Sequence, residues 1–143
     1  MTTYARTAKL ATYRSVLTHG AVAAGDSHAL VLMLMDGALE RMSIARGCIE
    51  RGETVRKAKL LHSCVRLVTE LRGSLNLKDG GELAGNLSNL YDYIVRRLLM
   101  ANAGNDQRCL AESLSLLGEI RSAWAAIGPS VRQAAPASPA PSP

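Results

Sequence analysis

The sequence GDSHALVLMLMDGALERMSIARGCIERG, residues 25–52, has the pattern of a long helix with one buried face. Apolar and small side chains recur in it at alternating intervals of four and three residues, which is the spacing of a helical face in contact with a neighbouring helix. Asp26 or Ser27 is the predicted N-cap, and Gly52 is the predicted C-terminal stop. The residues of the stripe are Val31, Met35, Ala38, Met42, Ala45 and Ile49.

The sequence that follows has the same organisation three more times. Thr54 is the predicted cap of a second helix, and a third helix is predicted from near Glu82, after a turn at residues 76–81. A turn at residues 101–106 precedes the fourth helix. The second helix carries two adjacent stripes, Ala58, Leu61, Val65 and Val68 beside Leu60, Cys64, Leu67 and Leu71. The predicted core stripes of the third and fourth helices are Leu83, Leu87, Leu90, Ile94 and Leu98, and Leu110, Leu114, Leu117, Ile120, Trp124 and Ile127.

Four amphipathic helices of similar length, joined by short turns, predict an all-α fold, an antiparallel up-down four-helix bundle over residues 25–128. Residues 1–24 form a separate segment with one short apolar helical face. A helix this short is unstable alone and needs a surface to dock on, so we expect a short, labile N-terminal helix. Residues 129–143 are mostly Ala, Pro and Ser and are expected to be a disordered tail.

The composition narrows the classes of function. The net charge of +5 is compatible with an acidic partner or with nucleic acid, but the basic residues are spread along the chain and aromatic residues make up only 3%, which disfavours base stacking. Three cysteines without a C-x-x-C motif are typical of small buried side chains in a reducing compartment. Neither a secretory leader nor a membrane-spanning run is visible, so we expect a cytoplasmic protein without membrane insertion.

The sequence lacks the residue patterns that support catalysis. His19, His28 and His62 do not have the Glu-x-x-His spacing of di-metal bundles. There is no glycine-rich nucleotide loop and no nucleophile elbow. His62 and Cys64 are two residues apart on a helix and therefore point away from each other. We expect a protein that is not an enzyme and that binds neither a metal nor a cofactor.

The second and third helices carry more apolar surface than the interior of a small bundle requires. The two stripes of the second helix cover about half of its circumference, and Tyr91, Val95 and Leu99 flank the core stripe of the third. We expect this excess to form a groove for a partner helix, which the N-terminal helix fills when no partner is bound. The predicted binding residues are Leu10, Tyr13, Leu17, Leu60, Cys64, Leu67, Leu71, Tyr91 and Val95.

Three stretches carry a family resemblance. They are LVLMLMDGALERMSIARGCIERGE at residues 30–53, TELRGSLNLKDGGELAGNLSNLYDYIVRRLLMAN at 69–102, and LLGEIRSAWAAI at 116–127 with its Arg-x-x-Trp. The second is the most specific, because it combines Leu75-Asn76-Leu77, Gly80-Gly81-Glu82, Tyr91-Asp92-Tyr93 and Arg96-Arg97-Leu98. Over about residues 10–127, the sequence resembles the flagellar secretion chaperone family (FliS).

The resemblance implies an antiparallel four-helix bundle that binds the disordered C-terminal segment of flagellin. It implies that binding stops flagellin from polymerising in the cytoplasm and helps deliver it to the export gate of the flagellar type III secretion apparatus. It also implies that the region around Tyr13 belongs to the binding surface. From the residues alone, a basic helical nucleic-acid-binding or scaffold protein is the alternative, and the sequence leaves open whether the free protein forms a homodimer.

Overall fold

The computed structural model describes residues 24–127, apart from the side chains of residues 24–26 and 77–79. Four helices make up this part of the chain: α1 (Ala24–Arg51), α2 (Thr54–Gly73), α3 (Leu77–Gly104) and α4 (Gln107–Ile127). All regular structure within residues 24–127 is helical, which confirms the predicted all-α class. The predicted N-terminal helix and the predicted disordered tail lie outside the described residues.

Two compact units divide the described chain, and residues 34–122 form one of them. Within it, side-chain contacts place the start of α2 beside the end of α3 and the later part of α3 beside the early part of α4, and further contacts join α1 to α2 and to α4. These contacts pair Cys64 with the Ala38 carbonyl, Lys57 with the Asn102 carbonyl, Arg97 with Glu112, and Arg121 with Asp36. Sequential helices therefore run antiparallel, and α4 closes on α1, as the up-down four-helix bundle prediction requires.

The other unit includes residues 24–33 and 123–127. In it the rings of His28 and Trp124 stack with centroids 4.9 Å apart. Trp124 Nε1 donates to the His28 carbonyl oxygen at 3.0 Å, and His28 Nε2 lies 2.7 Å from the Trp124 carbonyl oxygen. Because a carbonyl oxygen only accepts, His28 Nε2 carries the hydrogen in this pair.

The helix ends follow local chemistry. Gly52 has φ 73°, and its N–H donates to the Ile49 carbonyl while Glu53 N–H donates to the Cys48 carbonyl, so the predicted C-terminal stop of α1 is confirmed. At α4, Asp106 Oδ1 accepts from the N–H groups of Arg108 and Cys109, as a cap in the predicted turn should. These bonds, that from Cys109 first, lower the pKa of Asp106.

Two predicted caps are wrong. The first helix begins at Ala24, so Asp26 and Ser27 lie inside its first turn and neither is an N-cap. In α2 the N-cap position is Glu53 rather than Thr54, and no side chain caps this end. The third helix begins at Leu77, earlier than the predicted start near Glu82, but its path breaks at Gly81, which has φ 58° and ψ −136°.

Packing follows the predicted stripes closely in α1 and α2. Met35, Ala38, Met42 and Ala45 are buried, with Val31 and Ile49 half-buried at either end. Both stripes of α2 contribute to the core, and Lys57 is buried as well, where its Nζ donates to the Asn102 carbonyl at 2.7 Å. A cation at this place stabilises the C-terminal end of α3.

The core face of α3 differs from the predicted stripe. Ile94 and Leu98 are buried as expected, but Leu83 and Leu90 are exposed and Leu87 is half-buried. The inward positions are Ala84, Ser88, Tyr91, Ile94, Leu98 and Ala101. Ser88 faces α2, since Arg72 Nε of α2 donates to Ser88 Oγ at 2.9 Å. Leu83, Leu87 and Leu90 therefore lie at the margin of this inward face rather than at its centre.

Candidate binding surface

The structure buries most of the residues that the sequence predicts to bind a partner. Leu60, Cys64, Leu67, Leu71 and Tyr91 all lie in the core, with Leu67 2% and Tyr91 3% exposed. They do not form an open groove in the described structure, because both stripes of α2 face its neighbours. Val95 is half-buried and keeps part of its surface. Leu10, Tyr13 and Leu17 lie outside the described residues.

Exposed leucines on α3 provide the apolar surface instead. Leu83 is 69% exposed and Leu90 37% exposed, and half-buried Leu87 lies between them. The spacing of four and three residues places these side chains on one face, which we name the α3 leucine row. The antiparallel register set by Arg97 and Glu112 brings Leu116 and Ile120 of α4, both half-buried, alongside this row.

A polar cluster closes one end of the α3 leucine row. Tyr93 Oη donates to Glu112 Oε2 at 2.9 Å, and Arg97 Nε lies 2.7 Å from Glu112 Oε1. The hydrogen bond to Glu112 is the main reason that the pKa of Tyr93 is raised. The cluster ties α3 to α4 and fixes the register that sets the leucines beside Leu116.

The remaining polar residues of the Tyr-Asp-Tyr stretch tie α3 to α2. Asp92 accepts from Arg72 at 3.4 Å and pairs with Arg96 at 3.2 Å, while Arg72 Nε donates to Ser88 Oγ. Both ion pairs are largely exposed, so each adds little stability and mainly fixes geometry. The sequence analysis did not predict that these residues join α3 to α2. The feature that could have indicated it is Ser88, a small polar residue on an otherwise apolar face.

The described residues offer neither a metal site nor a membrane span. No cluster of three or more His, Cys, Asp or Glu side chains within the described part of the chain could hold a metal ion. None of the four helices described here has the length and apolar character needed to cross a membrane.

The fold and the surface together define a helical-bundle protein that presents an apolar row at one seam of the bundle. Residues 9–131 match the sequence family described as "Flagellar protein FliS". The chain belongs to this family, as the resemblance of its three stretches indicates.

Individual relatives cover most of the chain. It is 40% identical to the flagellar secretion chaperone FliSB of Pseudomonas aeruginosa over 112 residues, which are 78% of this chain and 89% of the relative. It is 40% identical to the flagellar secretion chaperone FliS of Salmonella typhimurium over 118 residues, 82% of this chain and 87% of the relative. The FliS of Bacillus subtilis is 36% identical over 95 residues, 66% of this chain and 70% of the relative.

Proposed function

We propose that the chain is a flagellin-specific export chaperone. It binds the disordered C-terminal segment of flagellin in the cytoplasm, keeps flagellin from polymerising there and assists its delivery to the export gate of the flagellar type III secretion apparatus. Support comes from relatives that are named flagellar secretion chaperones and align over most of their length. The observation that carries the proposal is the α3 leucine row, in which Leu83 is 69% and Leu90 37% exposed on a packed bundle.

The size of the row matters for a disordered client. Folding a disordered segment on binding costs about 2–5 kcal/mol or more of the interaction energy. Full burial of one leucine side chain contributes about 1.5–3 kcal/mol, and a half-exposed leucine contributes less because part of it is already covered. One residue therefore cannot offset the cost, but Leu83, Leu87 and Leu90 together with Leu116 and Ile120 can. A client helix lying along the α3–α4 seam contacts all five.

The test is a charge placed in the row. The double variant Leu83→Asp/Leu90→Asp is expected to lose flagellin binding by at least about tenfold, because carboxylates would be buried without partners under the client. Both positions are exposed, so the variant should keep the helical circular dichroism of the parent. Met100→Asp, at a 52% exposed position away from the row, is the matched control and should bind flagellin normally.

Flagellin lacking its C-terminal segment provides the second arm of this experiment. It should fail to co-purify with the parent protein. Normal binding by the folded Leu83→Asp/Leu90→Asp variant would exclude the row as the client site, and unchanged co-purification of truncated flagellin would exclude the proposed segment.

We further propose that the N-terminal face of Leu10, Tyr13 and Leu17 competes with the client. Its isolated apolar pattern requires a partner surface, and the α3 leucine row is an apolar surface of suitable length. Hydrogen exchange at residues 10–17 should be weakly protected in the free protein and should change when flagellin is added. Strong protection that flagellin does not alter would contradict this part of the proposal.

A further inference from the structure

Among the four described helices, net positive charge is concentrated in α2. The whole chain carries 17 basic and 12 acidic residues, a net charge of +5. Helix α2 contains five basic residues and one acidic residue, so its own net charge is +4. Helices α1, α3 and α4 each contain at least as many acidic as basic residues, so α2 is the one of the four with a net positive charge.

Three of these cations form a row on the outer face of α2. Lys57 is buried and Arg72 is bound to Ser88 and Asp92, which leaves Arg56, Lys59 and Arg66 as an exposed set that we name the α2 basic row. Arg56 forms an ion pair with Glu53, in which Nη1 lies 3.6 Å from Oε1. Lys59 and Arg66 make no ion pair within the described residues. At 1.5 Å per residue the row is about 15 Å long.

An uncharged strip runs beside the α2 basic row, on the side that faces α3. It includes Ala58 and Val65, both half-buried. The contacts of Lys57 with Asn102 and of Arg72 with Ser88 set a register that brings Val65 level with half-buried Val95. Leu99, which is 48% exposed, extends the strip by one turn of α3. The surface thus combines apolar side chains on one side with cations on the other.

Arg41 adds a fourth cation at the opposite margin, where α1 meets α2. Its Nη1 donates to the Gly37 carbonyl at 2.8 Å, and a side chain at Gly37 would contact both this guanidinium and Leu67 of α2. Nε of Arg41 is buried and has no hydrogen-bond partner in the part of the chain that the structure describes. Arg41 therefore adds positive charge near this face, although its Nε is itself out of reach of a partner.

We infer that this α2 face binds an acidic amphipathic helix of a protein partner. The partner's apolar residues lie over Val65, Val95 and Leu99, and its carboxylates lie over Lys59 and Arg66. Apolar neighbours favour a protein helix over a phosphate backbone, and three cations are few for nucleic acid, whose binders typically make about 6–10 phosphate contacts. The α3 leucine row lies on the opposite side of α3, toward α4, so the inference does not depend on flagellin being the client.

Two synthetic helical peptides test the inference. One has leucines on one face and glutamates along its flank, and the matched peptide has lysines in place of the glutamates. Fluorescence anisotropy against the full chain should show binding of the acidic peptide only, weakening between about 0.05 M and about 0.3 M salt. The variant Lys59→Glu/Arg66→Glu should bind it at least about tenfold more weakly. Arg46→Glu/Arg108→Glu, which changes two exposed cations outside α2 and alters net charge equally, should bind like the parent.

Three outcomes would overturn the inference. The first is that the acidic and the basic peptide bind equally well, and the second is that the control variant binds the acidic peptide as weakly as the Lys59→Glu/Arg66→Glu variant does. The third is that a DNA oligonucleotide or an anionic vesicle binds more tightly than the acidic peptide and that the Lys59→Glu/Arg66→Glu variant loses this binding. Circular dichroism melting of both variants shows that the fold is intact, since all four positions are exposed.

Discussion

Tyr91 and Cys64 are buried side chains whose ionised forms are disfavoured by the fold. Burial raises the pKa of Tyr91 from 10.0 to about 12 and that of Cys64 from 9.0 to about 12. Both groups are therefore neutral at physiological pH and pack as apolar side chains. Because their folded pKa values lie above the unfolded ones, their contribution to stability is fully present below about pH 9 and is lost as the pH rises towards about 12.

This linkage predicts an alkaline loss of stability with a known origin. Urea unfolding measured at several pH values should show the free energy of unfolding falling between about pH 9 and about pH 12. Tyr91→Phe keeps the ring but removes the ionisable group, so it should lose less stability over the upper part of that range. If parent and variant lose stability in parallel, the tyrosine is not the group responsible.

Single residues also mark the limit of what the sequence predicts. The large apolar residues of α3 suggest a core stripe through Leu83 and Leu90, whereas the structure turns Ala84 and Ser88 inward. Periodicity counts large side chains and gives no weight to small ones that allow two helices to approach closely. The same ambiguity placed Leu67 on the surface, since two adjacent stripes on α2 do not indicate which one faces a neighbour.

The stop at Gly52 and the cap at Asp106 were predictable, because in each a single residue type meets a single backbone need. Gly52 adopts a positive φ that glycine tolerates at no steric cost, and Asp106 offers a carboxylate to free N–H groups. The wrong N-caps at Asp26 and Thr54 came from residues that are acceptable caps but also acceptable within a first turn. A helix start is therefore less certain than a stop at glycine.

Gly81 is a second position where only glycine fits. Its φ of 58° and ψ of −136° lie in a region that other residues rarely occupy. We expect Gly81→Ala to destabilise the protein by about 1–3 kcal/mol. Gly85→Ala in the same helix has open space around the added methyl group and no positive φ, so it should stabilise by up to about 1 kcal/mol. Thermal melting of the two variants checks this, and a melting temperature that Gly81→Ala leaves unchanged or raises would show that Gly81 is not strained.

At the scale of the whole molecule, the antiparallel order of the helices was predictable from short turns alone. The location of the unbalanced charge was not, because it depends on which cations find partners on other helices. Arg97 and Arg121 are neutralised by Glu112 and Asp36, far away in the sequence. Lys59 and Arg66 have no such carboxylate partner within the described residues. The sequence around them does not differ in any way that would distinguish them from the paired arginines.

The two compact units predict that the molecule unfolds in two steps. In the described part of the unit that contains residues 24–33 and 123–127, Leu30 is the buried apolar residue, while Met33 and Ile127 are exposed. The His28–Trp124 pair therefore supplies much of the local contact energy there. Regions with few buried apolar contacts open at lower free energy than the core. Opening of this unit should precede loss of the helices at residues 34–122.

Trp124 makes this prediction measurable, because it is the one tryptophan of the chain. Its fluorescence should change at a lower urea concentration than the far-ultraviolet circular dichroism, which reports all helices. His28→Ala removes the stacked ring and the bond to the Trp124 carbonyl, so it should lower the fluorescence midpoint and leave the dichroism midpoint nearly unchanged. His62→Ala, at an exposed position on α2, is the control and should move neither. Coincident transitions in the parent protein would show that the ends unfold together with the rest of the bundle.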